Sequence, residues 1–230
     1  MASGDPQYDA LVQLMHRYFS DDGNIPSEYI YHRINDYLNR KIGDSCTADQ
    51  LCWLESFLLS FTMYYLSDWF YVSELLICLN ETEAQLYSAP IAEVLYRAHS
   101  SIADSREWDT KWVDYCALVG SVIETRLDEL EHEQRLIRIL VQVFAEKNHP
   151  SLENILLEGA ATCLSKMSKP VVLYIRSKEW DMTEYGMGGR VTLEDWCLWD
   201  ARLLAFKHDK SQTPEARSVA AKALLLMRGD

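Results

Sequence analysis

Residues Gly188–Phe206 read GGRVTLEDWCLWDARLLAF, and this stretch decides the fold class. Its large apolar residues recur every three or four positions, which is the spacing of one face of an α-helix: Leu193, Trp196, Trp199, Leu203 and Phe206. Thr192 followed three residues later by Asp195 is a pattern typical of a helix N-terminus. The stretch therefore predicts an amphipathic helix that begins after a glycine-containing loop.

The apolar stripe of this helix has two interpretations. The charged residues take the remaining faces, and a broad apolar stripe with two tryptophans indicates a helix packed into a core. We therefore predict core. A ligand-binding face is the alternative, and its candidate pocket residues are Trp196, Trp199, Arg190 and Tyr185.

The same helical period runs through the rest of the chain, and we predict an all-α fold. Residues 1–230 are expected to form one domain, an array of about nine to ten packed helices. Besides the opening stretch, the pattern predicts helices at about residues 6–19, 27–42, 48–65, 68–79, 90–99, 109–126, 131–146, 152–167 and 214–228. The segment PVVLYIRSKEW (170–180) contains an apolar run that suits a strand or a helix. We predict a helix, because no second strand signal exists to pair with it, and a fold of helices only, with less strand than a two-stranded sheet would need.

Net charge and hydropathy exclude several partners. The 35 acidic residues outnumber the 22 Lys and Arg residues, which gives a formal net charge of −13. Binding to nucleic acid or to anionic membranes requires clustered positive charge, so neither is expected. The longest uncharged piece of the most apolar tract, Ser56–Ser67, has twelve residues, too few to span a bilayer.

Cysteine usage and the N-terminal sequence predict a cytoplasmic protein. The stretch MASGDPQYDALVQLMHRYF lacks the basic and apolar regions of a secretory signal. The six cysteines, at 46, 52, 78, 116, 163 and 197, are widely spaced among apolar neighbours. We therefore expect buried, reduced thiols and not disulfides.

No motif assigns a catalytic residue, a metal or a cofactor. Glu129 with His132 and Glu146 with His149 match the Glu-x-x-His spacing of di-iron bundles. They lie seventeen residues apart on one predicted helix, roughly 25 Å, so they are not expected to share a metal. The acidic run 126–135 and the GMGG stretch (186–189) match no diphosphate or nucleotide motif. We therefore predict no metal and no cofactor.

The C-terminal stretch resembles a fungal protein family that is catalogued as domain of unknown function 3632. The resemblance covers VTLEDWCLWDARLLAF and the following TPEARSVAAKALLLM, about the last forty residues, and IPSEYIYHRINDYL (25–38) is similar to the opening helix of that family. It implies an all-helical fold and an origin in filamentous fungi. Some relatives are encoded beside specialised-metabolite genes, and the family supplies no catalytic residues.

Two classes of function follow from these observations. The first is an accessory protein that binds a protein partner or a small apolar molecule without catalysis, in support of a specialised-metabolite pathway. The second is an unorthodox enzyme, such as a cyclase or isomerase, that works in an aromatic-lined pocket between helices. The sequence leaves open whether the protein is an enzyme.

Overall fold

The computed structural model describes residues 5–20, 24–42, 48–82, 88–105, 110–125, 150–183 and 189–229. Within these ranges the fold is all-α, with ten α-helices and one very short pair of strands. Contacts divide the chain into two compact units, residues 1–101 and 102–230. The predicted helix at 131–146 and both Glu-x-x-His pairs lie outside the described residues. The single-domain organisation stays a prediction.

The first unit is built from helices alone. Its elements are α1 (Pro6–Ser20), α2 (Ser27–Ile42), α3 (Ala48–Tyr64), a 3-10 turn (Leu66–Asp68), α4 (Trp69–Thr82) and most of α5 (Ser88–Ser105). The 3-10 turn interrupts the apolar tract at YLSDW, where the sequence predicts a kink or break. The inner face of α1 and that of α2 are both buried, for example at Met15 and Ile34.

The start of α1 shows how the sequence sets a helix boundary. The Asp5 carboxylate accepts a hydrogen bond from the backbone N–H of Gln7 at 3.0 Å. Pro6 follows as the first helical residue, where its missing N–H costs nothing. The helix start predicted from Asp5-Pro6 is confirmed.

The second unit is also helical and contains the strand pair. Its elements are α6 (Thr110–Glu124), α7 (Pro150–Ser165), α8 (Lys169–Ser177), β1 (Trp180–Asp181), β2 (Arg190–Val191), α9 (Leu193–His208) and α10 (Pro214–Arg228). Helix α7 packs against α6 and α10, and α10 also contacts α8 and α9. Thr213 caps α10 by accepting from the Ala216 N–H at 3.1 Å, and Gly229 ends it in the left-handed conformation.

Two glycines bring α6 and α7 unusually close together. A Cβ atom on Gly120 would collide with the backbone carbonyl of Cys163. A Cβ on Gly159 would overlap the indole of Trp112 and lie 2.9 Å from the Cys116 Sγ. The contact is reciprocal, because each glycine faces the cysteine-bearing turn of the other helix. Only a residue without a side chain fits at these two points.

The prediction of a fold without strands is wrong in one place. Trp180 pairs with Val191 and Asp181 with Arg190 in an antiparallel ladder. The segment at 170–180 is helical only as far as Ser177, and its last residue, Trp180, is the first residue of β1. Each strand has only two residues, which is too short for an alternation of apolar and polar positions to be detected in the sequence. The ladder joins the end of α8 to the start of α9.

Some predicted helix boundaries are also wrong. Helix α5 begins at Ser88, before Pro90, and continues to Ser105 instead of ending near His99. Proline is tolerated in the first turn of a helix, so it need not be the first residue. Helix α7 begins at Pro150, two residues before the predicted start at 152, and ends at Ser165. No helix in the described ranges is long and apolar enough to cross a membrane.

Candidate functional site

A groove between α1 and α2 in the first unit has a volume of about 450 Å³. One wall runs along α1 from Pro6 to Arg17, and the other runs along α2 from Tyr29 to Arg40. Each wall spans eleven residue steps, which is roughly 16 Å at the rise of an α-helix. The groove is therefore elongated, and it is open to solvent along one side.

Part of the groove lining is apolar. Ala10 and Leu14 line the groove from α1, and the rings of Tyr29 and Tyr37 line it from α2. Tyr29 is 49% exposed. Covering the apolar body of a tyrosine ring is favourable. This surface offers contact area to a ligand with an apolar portion.

Three arginines give the groove a positive charge. Arg17 lies on one wall, and Arg33 and Arg40 lie on the other. The first unit carries five Lys and Arg residues against fourteen Asp and Glu residues in positions 1–101, so three of its five cations line this groove. Asp36 also lines it, 3.6 Å from the Arg33 guanidinium. An acidic unit has thus gathered most of its positive charge on one surface.

A tyrosine and a carboxylate meet at one end of the groove. The Tyr37 hydroxyl donates to the Asp5 carboxylate at 3.2 Å. Partial burial, with a further contribution from this hydrogen bond, raises the pKa of Tyr37 to about 12. The phenol therefore stays neutral at physiological pH, and the bond ties α2 to the N-terminus of α1. This end of the groove is fixed, as a preformed binding site requires.

A smaller cavity of about 280 Å³ lies in the second unit, where α8, α9 and α10 meet. Arg228 binds Asp200 in a bidentate ion pair, with both N–O distances 2.8 Å. Arg176 donates to the backbone carbonyl of Met227, near the C-terminus of α10. Both arginines line the cavity, but each already serves to hold α10 in place.

Trp196 and Trp199, two of the four pocket candidates, pack together in this region. Their ring centroids are 4.9 Å apart, and Trp196 is only 1% exposed. Trp196 also lines the smaller cavity, and its buried Nε1 has no hydrogen-bond partner among the described residues. The predicted core position of both rings is confirmed, and a role in ligand binding stays a prediction.

The stripe prediction is wrong at one residue of α9. Leu193 is 56% exposed, whereas Leu203 and Phe206 are buried as expected. At about 100° per residue, Leu193 points roughly 100° away from the centre of the face formed by the other four. Its three- and four-residue spacing therefore does not put it in the core.

The other two pocket candidates do not join a described cavity. Arg190 is exposed on β2 and lies 3.5 Å from Glu179. Tyr185 lies outside the described residues. The four candidates are thus not brought together within the part of the chain that the structure describes.

The described cysteines are free thiols, but the expectation that they are buried is wrong for two of them. Cys116 and Cys163 are buried and Cys78 is half-buried, whereas Cys52 and Cys197 are exposed on outward faces of α3 and α9. Burial raises the pKa of Cys116 and of Cys163, so these two stay protonated and unreactive. Among the described residues, no group of three His, Cys, Asp or Glu side chains is placed to hold a metal.

Sequence reasoning missed the α1–α2 groove, although a signal was present. No Lys or Arg occurs between Lys41 and Arg97. The positive charge of the N-terminal half is therefore confined almost entirely to α1 and α2. Helical spacing of Arg33 and Arg40, seven residues apart, places them on one face.

Comparisons with known proteins do not assign this chain to a family. No protein-family profile, no curated protein and no solved structure matches the chain. The resemblance to the fungal family stays a prediction.

Proposed function

We propose that this protein is a cytoplasmic accessory protein that binds a ligand in the α1–α2 groove and does not transform it. The observation that carries the proposal is the concentration of arginines around an apolar strip in an otherwise acidic unit. Guanidinium groups are the side chains best suited to bind the oxygen atoms of an acidic group. A ligand of opposite charge therefore suits this lining.

The size and composition of the groove support a binding role. A volume of about 450 Å³ lies in the range of sites for small organic molecules, and such sites combine apolar walls with a few placed polar groups. The smaller cavity beside Trp196 fits this role less well, because its volume of about 280 Å³ lies just below that range. The α1–α2 groove is therefore the better candidate.

The wider setting of the function also belongs to the proposal. The resemblance to the fungal family supports an accessory role in a specialised-metabolite pathway. The net charge of −13 supports a partner other than nucleic acid. Deletion of the gene followed by metabolite profiling tests the pathway role, because loss or change of one product family is expected.

A blocked groove tests the binding function directly. Ala10 is exposed and lines the groove, so Ala10→Trp should fill the space without disturbing the core. Ligands from a library of small organic molecules should raise the Tm of the wild type, by an amount that grows with concentration. The same compounds should leave the Tm of Ala10→Trp unchanged.

A matched variant separates blocking from a general effect of added bulk. Ala205 is exposed on α9 in the second unit, and Ala205→Trp should respond to each ligand as the wild type does. Equal shifts in the wild type and Ala10→Trp, or no stabilising compound at all, would overturn the proposal. Chemical conversion of a stabilising compound by the wild type, but not by Ala10→Trp, would favour the enzyme alternative instead.

A further inference from the structure

We infer that the ligand of the α1–α2 groove is an amphipathic organic anion, a molecule with an apolar body and a carboxylate, sulfonate or phosphate group. This inference rests on the proposed binding function and specifies its ligand class. It follows from the arrangement of charge and apolar surface within the groove.

The arginines supply the anion-binding part. Arg33 and Arg40 are seven residues apart on α2, so their side chains leave the same face about two helical turns, or roughly 10 Å, apart. Arg17 lines the opposite wall. A guanidinium group presents a planar fork of N–H donors that matches the oxygen atoms of these anions. An anionic group therefore finds donors on both walls of the groove.

The acidic residue in the groove limits how much negative charge the ligand carries. Asp36 lies 3.6 Å from Arg33, so the lining holds three cations and one anion. A ligand with one or two negative charges suits this balance. A highly charged polyanion would meet the many acidic residues of the surrounding unit.

The apolar strip requires more than an inorganic anion. Ala10, Leu14 and the half-exposed Tyr29 ring line the same groove as the three arginines. A phosphate or sulfate ion would leave this strip in water, whereas an aromatic or aliphatic body would cover it. A neutral apolar ligand would instead strip water from the arginines without replacing their hydrogen bonds. A molecule with both parts satisfies both surfaces.

Two dyes of similar shape separate these alternatives. The probe 8-anilinonaphthalene-1-sulfonate has an aromatic body with a sulfonate, and N-phenyl-1-naphthylamine has nearly the same body without it. We expect the anionic dye to bind the wild type more tightly than the neutral dye does, as measured by fluorescence titration at low salt. Arg33→Gln/Arg40→Gln should weaken binding of the anionic dye by about tenfold or more, and binding of the neutral dye by less than about twofold.

A control variant keeps the change in net charge constant. Arg190 and Lys210 are both exposed in the second unit, and Arg190→Gln/Lys210→Gln removes the same two charges away from the groove. This control should retain wild-type affinity for the anionic dye. Circular dichroism of every variant should match the wild type, because all four side chains are exposed.

The outcomes distinguish failure of the ligand class from failure of the function. If both dyes bind equally well and neither double variant matters, while Ala10→Trp abolishes binding, the groove binds apolar ligands and the anion inference is wrong. If both double variants weaken the anionic dye equally, net charge and not the groove attracts it, and the inference is also wrong. If Ala10→Trp leaves binding of both dyes unchanged, the groove is not the site and the proposed function fails with it.

Discussion

The α6–α7 contact and the α1–α2 pair show two different ways for neighbouring helices to meet. In the second unit, Gly120 and Gly159 let α6 and α7 approach until backbone meets side chain, with no room for a methyl group. In the first unit, α1 and α2 bury their inner faces but leave a groove of about 450 Å³ along their outer edge. The first arrangement fills space and the second leaves it open.

This difference indicates which helix contacts in a helical protein can leave room for a binding site. Small residues at a helix contact remove the groove between the helices, and the gain is close packing. Long side chains such as Arg33 and Arg40, which keep their charged ends in water, hold a groove open. The tightly packed unit should therefore respond strongly to small changes in side-chain volume, and the groove should tolerate large ones.

The largest effect is expected from loss of a buried ring in the second unit. Trp196→Ala removes an indole that is 1% exposed and leaves a cavity, which should cost about 3–5 kcal/mol of unfolding free energy. The measurement is chemical denaturation monitored by circular dichroism. A wild-type midpoint would contradict the core position and make α9 the leading candidate for a ligand-binding face.

Glu194→Ala is the control for that experiment. Glu194 is exposed in the first turn of the same helix, so its loss should cost well under about 1 kcal/mol. A loss as large as that of Trp196→Ala would mean that any change in α9 unfolds the unit. The stability loss in Trp196→Ala could then not be attributed to burial of the indole ring.

An intermediate effect is expected from one added methyl group. Gly120→Ala places a Cβ against the Cys163 carbonyl, so the backbones of α6 and α7 must separate. Overpacking of this kind should cost about 1–3 kcal/mol, despite the higher helix propensity of alanine. Ala10→Trp adds far more volume to the open groove and should change stability by less than about 0.5 kcal/mol. Equal losses of unfolding free energy in these two variants would contradict the proposed difference between the two helix contacts.

The smallest effect concerns a charge at the edge of the packed unit. Partial burial raises the pKa of Glu158 on α7. The protonated form therefore favours folding, and this contribution is complete below the unfolded-state pKa and is lost as the pH rises through the folded-state pKa. Glu158→Gln should accordingly raise the Tm at pH 7, and its advantage should shrink as the pH falls toward 4.

The exposed position 194 supplies the reference for this pH dependence. Glu194→Gln makes the same chemical change on an exposed side chain, so its Tm should follow that of the wild type across the same range. A Glu158→Gln variant that is less stable than the wild type at pH 7 would show that the carboxylate makes a favourable contact. That result would contradict a net cost of burial at this position.

The sequence predicted the elements of this fold better than their arrangement. Hydrophobic period and capping residues located the helices, because these signals act within one turn of the chain. The capping pair of α9 is an example, since the Thr192 N–H donates to the Asp195 carboxylate at 2.8 Å. The β1–β2 ladder was missed because its pairing joins residues about ten positions apart, with only two pairs to signal it.

The candidate site was predicted less well, for a related physical reason. A helical pattern reports which face of a helix is apolar, but it does not report which second helix lies beside that face. Arg17 of α1 lines the same groove as Arg33 and Arg40 of α2, and this arrangement is a property of the two helices together. Trp196 and Trp199 were pocket candidates because they are large aromatic residues, but both rings are buried in the core.

The reciprocal glycine contact has a consequence for the evolutionary history of the chain. Along α6, Trp112, Cys116 and Gly120 recur every four residues, and along α7 Gly159 is followed four residues later by Cys163. Drift at Gly120 or Gly159 toward any larger residue meets backbone or indole atoms, so descendants of this protein should retain both glycines long after overall identity has faded. The pattern W-x3-C-x3-G on α6, followed later in the chain by G-x3-C on α7, offers a marker for distant relatives.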